Sequence, residues 1–133
     1  MRISKAEFEE FSKLLAHRFE LTEDKKFETS LASLEAILGQ PLLVHTKSED
    51  VNKVSSKPLL DNQIVFLAKT KKRAVYYLAK HFRNCASHAG RITKKKVGDK
   101  IVYLFRDEYN HKTTMQCRLS KDTLVQLVDK MYE

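Results

Sequence analysis

LDNQIVFLAKTKKRAVYYLAKHFRNCAS, residues 60–87, decides how this chain reads, because no other segment carries so long an apolar beat. Leu60, Ile64, Leu67, Val75, Leu78, Phe82 and Cys85 recur near a seven-residue period, which places them on one helical face. Lys71 interrupts that stripe, so the spacing predicts either one long helix over 59–87 or two shorter ones divided near Thr70-Lys71. Pro58 suits the first turn of such a helix, where its missing N–H is not needed.

Working outward, Ser4 and Glu7 form a capping box ahead of Phe8, Phe11, Leu15 and Phe19 at helical spacing. This first helix is expected to end near Glu20. Thr22 can cap a second helix with the stripe Phe27, Leu31, Leu34 and Leu38, stopped by Gly39 and Pro41. Residues 41–58 scatter Ser, Asp, Asn and Lys, and read as a surface loop with at most a short helical turn. After Gly90 the pattern changes. Lys100–Arg106 is β-branched and aromatic, Gly98-Asp99 marks a turn before it, and Asn110-His111-Lys112 leads to a partner strand over Thr113–Cys117. Ser120 caps a closing helix through Leu124, Leu127, Val128 and Met131. The expected architecture is mainly α (α+β): an up-and-down bundle of about four helices in one domain, 1–133. A small β-hairpin near 91–118 precedes the last helix, near 120–132.

The length suits a single modest core. With 42% apolar and 32% charged residues the composition is that of a globular protein, and no apolar stretch is long enough to span a bilayer. Met1–Glu7 lacks the apolar region of a signal peptide, so cytoplasmic residence is the expectation. Cys85 and Cys117 give no disulfide framework and are expected as free thiols. The net charge of +8 favours an anionic partner, and Lys69, Lys71, Lys72, Arg73 and Lys94–Lys96 concentrate it in the second half. If that partner is RNA or DNA, Lys71, Lys72 and Arg73 are the residues expected to guide the strand.

The long segment closes on Arg83-Asn84-Cys85-Ala86-Ser87-His88, followed by Ala89-Gly90. Arg-x4-His also occurs at Arg106–His111, but acidic Asp107-Glu108 between them makes that pair a solvated hairpin tip. Metal-free cleavage of RNA needs a base for the 2′-hydroxyl and a cation for the charge developing on phosphorus. His titrates near neutrality, and Arg offers a permanently charged fork that fits phosphate oxygens. Asn84 can orient either group. On a straight helix Arg83 and His88 stand about 140° apart. They meet only if the helix bends or frays, or if two copies face each other. The same residues also suit a plain helix end, with His88 favoured by the helix dipole.

The run His81–Gly90 resembles the signature of the HEPN superfamily (higher eukaryotes and prokaryotes nucleotide-binding): Arg, a polar residue, small or apolar residues, then His and Gly. The resemblance implies a helical bundle and a homodimer whose two motifs form a metal-independent ribonuclease site. It implies Arg83 and His88 as the catalytic pair, Asn84 as the polar auxiliary and no cofactor. It also implies a role in defence or toxin–antitoxin systems, with an antitoxin protein as partner. The alternative is a non-catalytic helical module that binds nucleotides or proteins.

Other constellations are weaker. His81, Cys85 and His88 share a helical stripe, with His111 or Cys117 as a fourth zinc ligand, but one straight helix does not close a tetrahedron and Cys85 lies on the apolar stripe. Burial likewise counts against Cys85–His88 nucleophilic chemistry. The three glycines make no phosphate loop. Tyr76 and Tyr77 border the basic stretch; one of them can stack on a base, although core packing or plain surface placement explains both.

Overall fold

A computed structural model describes residues 1–88 and 90–133. It corrects the expected four-helix bundle with one hairpin: five helices pack around a five-stranded mixed sheet. The strands are β1 (Leu43–His45), β2 (Gln63–Leu67), β3 (Ile92–Val97), β4 (Lys100–Tyr109) and β5 (Lys112–Ser120). Their order is β1-β2-β5-β4-β3, with β1 and β2 parallel and the remaining pairs antiparallel. The helices are α1 (5–21), α2 (Leu31–Leu38), α3 (Ser48–Ser55), α4 (Ala74–Ser87) and α5 (Lys121–Met131). The middle of α1, Ser12–His17, is wound as a π-helix between α-helical ends.

Residues 60–87 are not helical throughout. Residues 63–67 are the strand β2, and only 74–87 are α-helical. Ile64, Val65 and Phe66 are consecutive and all fully buried, whereas Leu60 is 69% exposed. Burial on every successive residue means that both faces of the segment are covered, as in an interior strand. Ile64 and Phe66 join the main core with α1, α4 and α5; Val65 packs on the other face with Val51 of α3 and Leu59. The spacing 60, 64, 67 is thus a coincidence of a strand that is apolar on both sides.

Other boundaries also move. Residues 41–58, expected as a loop, supply β1 and α3, the crossover that brings β2 parallel to β1. Pro58 lies in the link between α3 and β2 and opens no helix. Thr22 ends α1, and Ser30 caps α2 by accepting the Ser33 N–H at 3.2 Å. Phe27 therefore precedes α2, with its ring 5.2 Å from that of Tyr132. Residues 92–120 form a three-stranded meander rather than one hairpin.

The local signals that hold are short-range. Ser4 Oγ accepts the Glu7 N–H and Glu7 Oε1 accepts the Ser4 N–H, completing the capping box. Gly39 ends α2 with φ of 74°, and Ser120 caps α5. Asn110 and His111, both with positive φ, form the two-residue turn between β4 and β5. Phe105 of β4 centres the core, edge-on to Phe11 at 5.6 Å and to Phe82 at 5.5 Å. Among the described residues no helix is long and apolar enough to cross a membrane.

Candidate functional site

α4 carries the Arg-x4-His run at its C-terminal end, and its packing sends the three expected catalytic residues in different directions. Arg83 faces α1: its Nε lies 3.2 Å from Glu20 Oε1, off the hydrogen-bond direction, and its guanidinium carbon is 5.4 Å from the centre of the Phe19 ring. Asn84 faces the sheet and donates from Nδ2 to Asp107 Oδ2 at 3.1 Å. His88 follows the last helical residue in extended conformation and is exposed. Ala89, the next residue of the motif, lies outside the described residues. Ser12 Oγ donates to the Ala86 carbonyl at 3.1 Å and ties this helix end to the π-helical turn of α1. Arg83 and Asn84 thus have separate partners, and the helix does not bend to gather Arg83, Asn84 and His88 within one chain.

A second polar centre went unread in the sequence. Asp107, whose side chain is only 3% exposed, sits on the core side of β4, two residues beyond Phe105. Its carboxylate accepts from His81 Nδ1 at 2.8 Å, Asn84 Nδ2 at 3.1 Å, the Glu108 N–H at 3.0 Å and Arg91 Nη1. Burial pushes the Asp107 pKa up, but the hydrogen bonds from His81 and Asn84 and the charges of His81 and Arg91 outweigh it, leaving the carboxyl below its ordinary range. The other ring nitrogen of His81, Nε2, is 2.7 Å from the Leu67 carbonyl. A carbonyl oxygen only accepts, so Nε2 carries a proton, and opposite an ionised Asp107 so does Nδ1. Neither ring nitrogen is then free for proton transfer or for a metal. The alternation Tyr103, Phe105, Asp107 on one face of β4 was the available signal.

The zinc and thiol alternatives lose their other members as well. Cys85 and Cys117 are fully buried in the main core, and burial pushes both thiols well above their ordinary pKa. Arg106, expected at a hairpin tip, lies within β4 opposite Gln116 and pairs with Glu108 at 2.9 Å on the surface, whereas His111 occupies the exposed turn, so the second Arg-x4-His pair is solvated but not gathered at one tip.

Lys71, Lys72 and Arg73 form the 3-10 turn that opens α4, and all three are exposed. They make one lip of a cleft of about 670 Å³ whose other wall is residues 24–31. The Arg73 guanidinium carbon sits 4.1 Å over the Tyr76 ring, which fixes the plane of its fork. Lys25 is occupied, with its ammonium donating to the carbonyls of Phe19 at 2.6 Å and Thr22 at 3.1 Å. Lys26, Lys71, Lys72 and Arg73 enter no ion pair among the described residues. The carboxylates of Asp24 and Glu28 also border the cleft, but cations outnumber them. A second cavity, of about 520 Å³, lies against Asp107, Tyr77 and Tyr109.

No protein-family model, curated protein or solved structure matches this chain.

Proposed function

We propose that this chain binds single-stranded RNA, with the sugar-phosphate backbone seated along the cleft and Lys71, Lys72 and Arg73 contacting its phosphates. One observation carries the reading: these cations on one lip and Lys26 on the facing wall line a single cleft without ion-pair partners among the described residues. The net charge of +8 supplies the long-range attraction. Fluorescence anisotropy with a labelled single-stranded RNA tests it. The wild type binds, and K71E/K72E/R73E weakens binding at least tenfold while the protein stays folded. Equal affinity in the two proteins would remove the cleft from the account.

Metal-independent cleavage by a homodimer is the second reading. What favours it is an exposed His88 together with an Arg83 whose carboxylate partner, Glu20, is itself 58% exposed and readily exchanged for phosphate. In a homodimer Arg83 of one copy would hold the phosphate and His88 of the other would transfer the proton. The resemblance to HEPN proteins now rests on His81–Gly90 alone, because a sheet stands where the bundle was expected. RNA cleavage that resists EDTA and disappears in both His88→Ala and Arg83→Ala supports this reading. Varied RNAs left intact by the folded protein count against it.

A further inference from the structure

The two cavities lie on either side of the segment that joins β2 to α4. Lys71, Lys72, Arg73 and Tyr76 line the basic cleft, whereas Lys69, Tyr77 and Lys80 line the second cavity. The rings of Tyr76 and Tyr77 meet edge to face at 5.1 Å, so the two walls adjoin. Cationic side chains therefore continue from one cavity to the other, and among the described residues Lys69 and Lys80 have no carboxylate partner. We infer that the second cavity takes one unstacked base of the RNA strand whose backbone occupies the cleft, an inference that rests on the RNA-binding reading above.

The cavity is a built feature of the sheet. The register of β4 against β5 shifts between Asp107 and Glu108: Asp107 faces Met115, Glu108 faces Thr113, and Thr114 is left over as a bulge. The Asn52 side chain of α3 holds the strand beside the bulge: its Oδ1 accepts the Thr113 N–H at 3.2 Å and its Nδ2 donates to the Thr113 carbonyl at 3.3 Å. Thr114, 7% exposed, then sits against the cavity, and its hydroxyl has no partner among the described residues. Tyr109 follows the bulge and is 72% exposed, held at the strand end by the tight Asn110–His111 turn. A tyrosine exposed at a cavity that Tyr77 also lines is a stacking platform that any base can use.

The floor adds selectivity. Asp107 is ringed by four donors and two of them are cationic, so it presents little free negative charge to a nucleotide. Because a carboxylate only accepts, Asn84 must turn Nδ2 toward Asp107. That leaves Oδ1 as an unengaged acceptor on the cavity wall. An acceptor there favours a base with an exocyclic amino group, as in adenine, cytosine or guanine, over uracil, whose one base-edge donor is an N3–H flanked by two carbonyl oxygens.

Anisotropy titrations with ten-nucleotide oligo(A), oligo(C) and oligo(U), and with an RNA duplex of equal length, test the inference. The wild type binds oligo(A) and oligo(C) several-fold more tightly than oligo(U), and the duplex more weakly than any of them. Tyr109→Ala lowers oligo(A) affinity about tenfold, and Tyr109→Phe restores it because the ring remains. If K71E/K72E/R73E weakens RNA binding but Tyr109→Ala stays within twofold of wild type, the base pocket falls while the RNA-binding reading stands. Equal affinity for oligo(U), or a duplex bound as tightly as the single strands, also overturns the pocket. If the wild type binds none of these RNAs, both the reading and the pocket fall.

Discussion

Two charged regions border α4, and they use charge in opposite ways. At the Asp107 centre every charge has a buried partner, and the contacts join β2, α4 and β4 through Leu67, His81 and Asn84. At the N-terminal lip, Lys71, Lys72 and Arg73 are exposed and unpaired among the described residues. A saturated buried ion network gives position and leaves little capacity for a ligand; unpaired cations on a concave wall contribute little to folding and retain their capacity for an external anion. The difference assigns the first region to holding the fold and the second to binding.

The sharpest way to break that assignment is to remove Asp107. Asp107→Ala leaves a buried His81 and a half-buried Arg91 without their carboxylate, and loss of one member of a buried pair costs about 3–5 kcal/mol. Urea denaturation is expected to show a loss of that order, and a change below 1 kcal/mol would mean that the centre is not structural. Acid provides a smaller effect. Burial raises the Glu7 pKa, but hydrogen bonds from Lys94, the Ser4 N–H and Tyr103 outweigh it and hold the group at about 2 against an ordinary 4.5. The folded pKa is the lower one, so the unfolded chain takes up the proton first. Glu7 thus stabilises the fold above about pH 4.5, and its contribution is lost as pH falls toward 2. Denaturation midpoints measured across that range should fall less steeply in Glu7→Gln than in the wild type. Least of all is expected from Arg83→Ala. Its ion pair with Glu20 is between groups 33% and 58% exposed, so stability should change by less than about 1 kcal/mol. A larger loss would give Arg83 the structural role assigned to Asp107.

What could be read from the sequence divides along the same line between local and non-local contacts. The Ser4–Glu7 capping box, the Gly39 stop, the turn at Asn110–His111 and the Ser120 cap each depend on residues within a few positions, and each is present. The strand Ile64–Phe66 was misread because its burial on both faces is set by partners far along the chain, among them Val51 and Met115. Lys71, Lys72 and Arg73 are legible as a cationic run, but the cleft facing them is made by residues 24–31, forty or more positions away. Asn84 was singled out as a catalytic auxiliary. Its amide instead bonds to Asp107, whose acidic neighbour in sequence suggests a solvated tip but which β4 turns inward beside Phe105.

The salt dependence of RNA affinity tests the central claim most directly, because it reports the number of phosphate contacts rather than affinity alone. Titrations of a labelled single-stranded RNA between about 50 and 200 mM salt give the slope of log K against log salt. If Lys71, Lys72 and Arg73 contact phosphates, the slope of K71E/K72E/R73E is shallower than that of the wild type by about two to three, near one for each lost contact. Parallel lines of equal slope would contradict the account and place the RNA elsewhere on the protein.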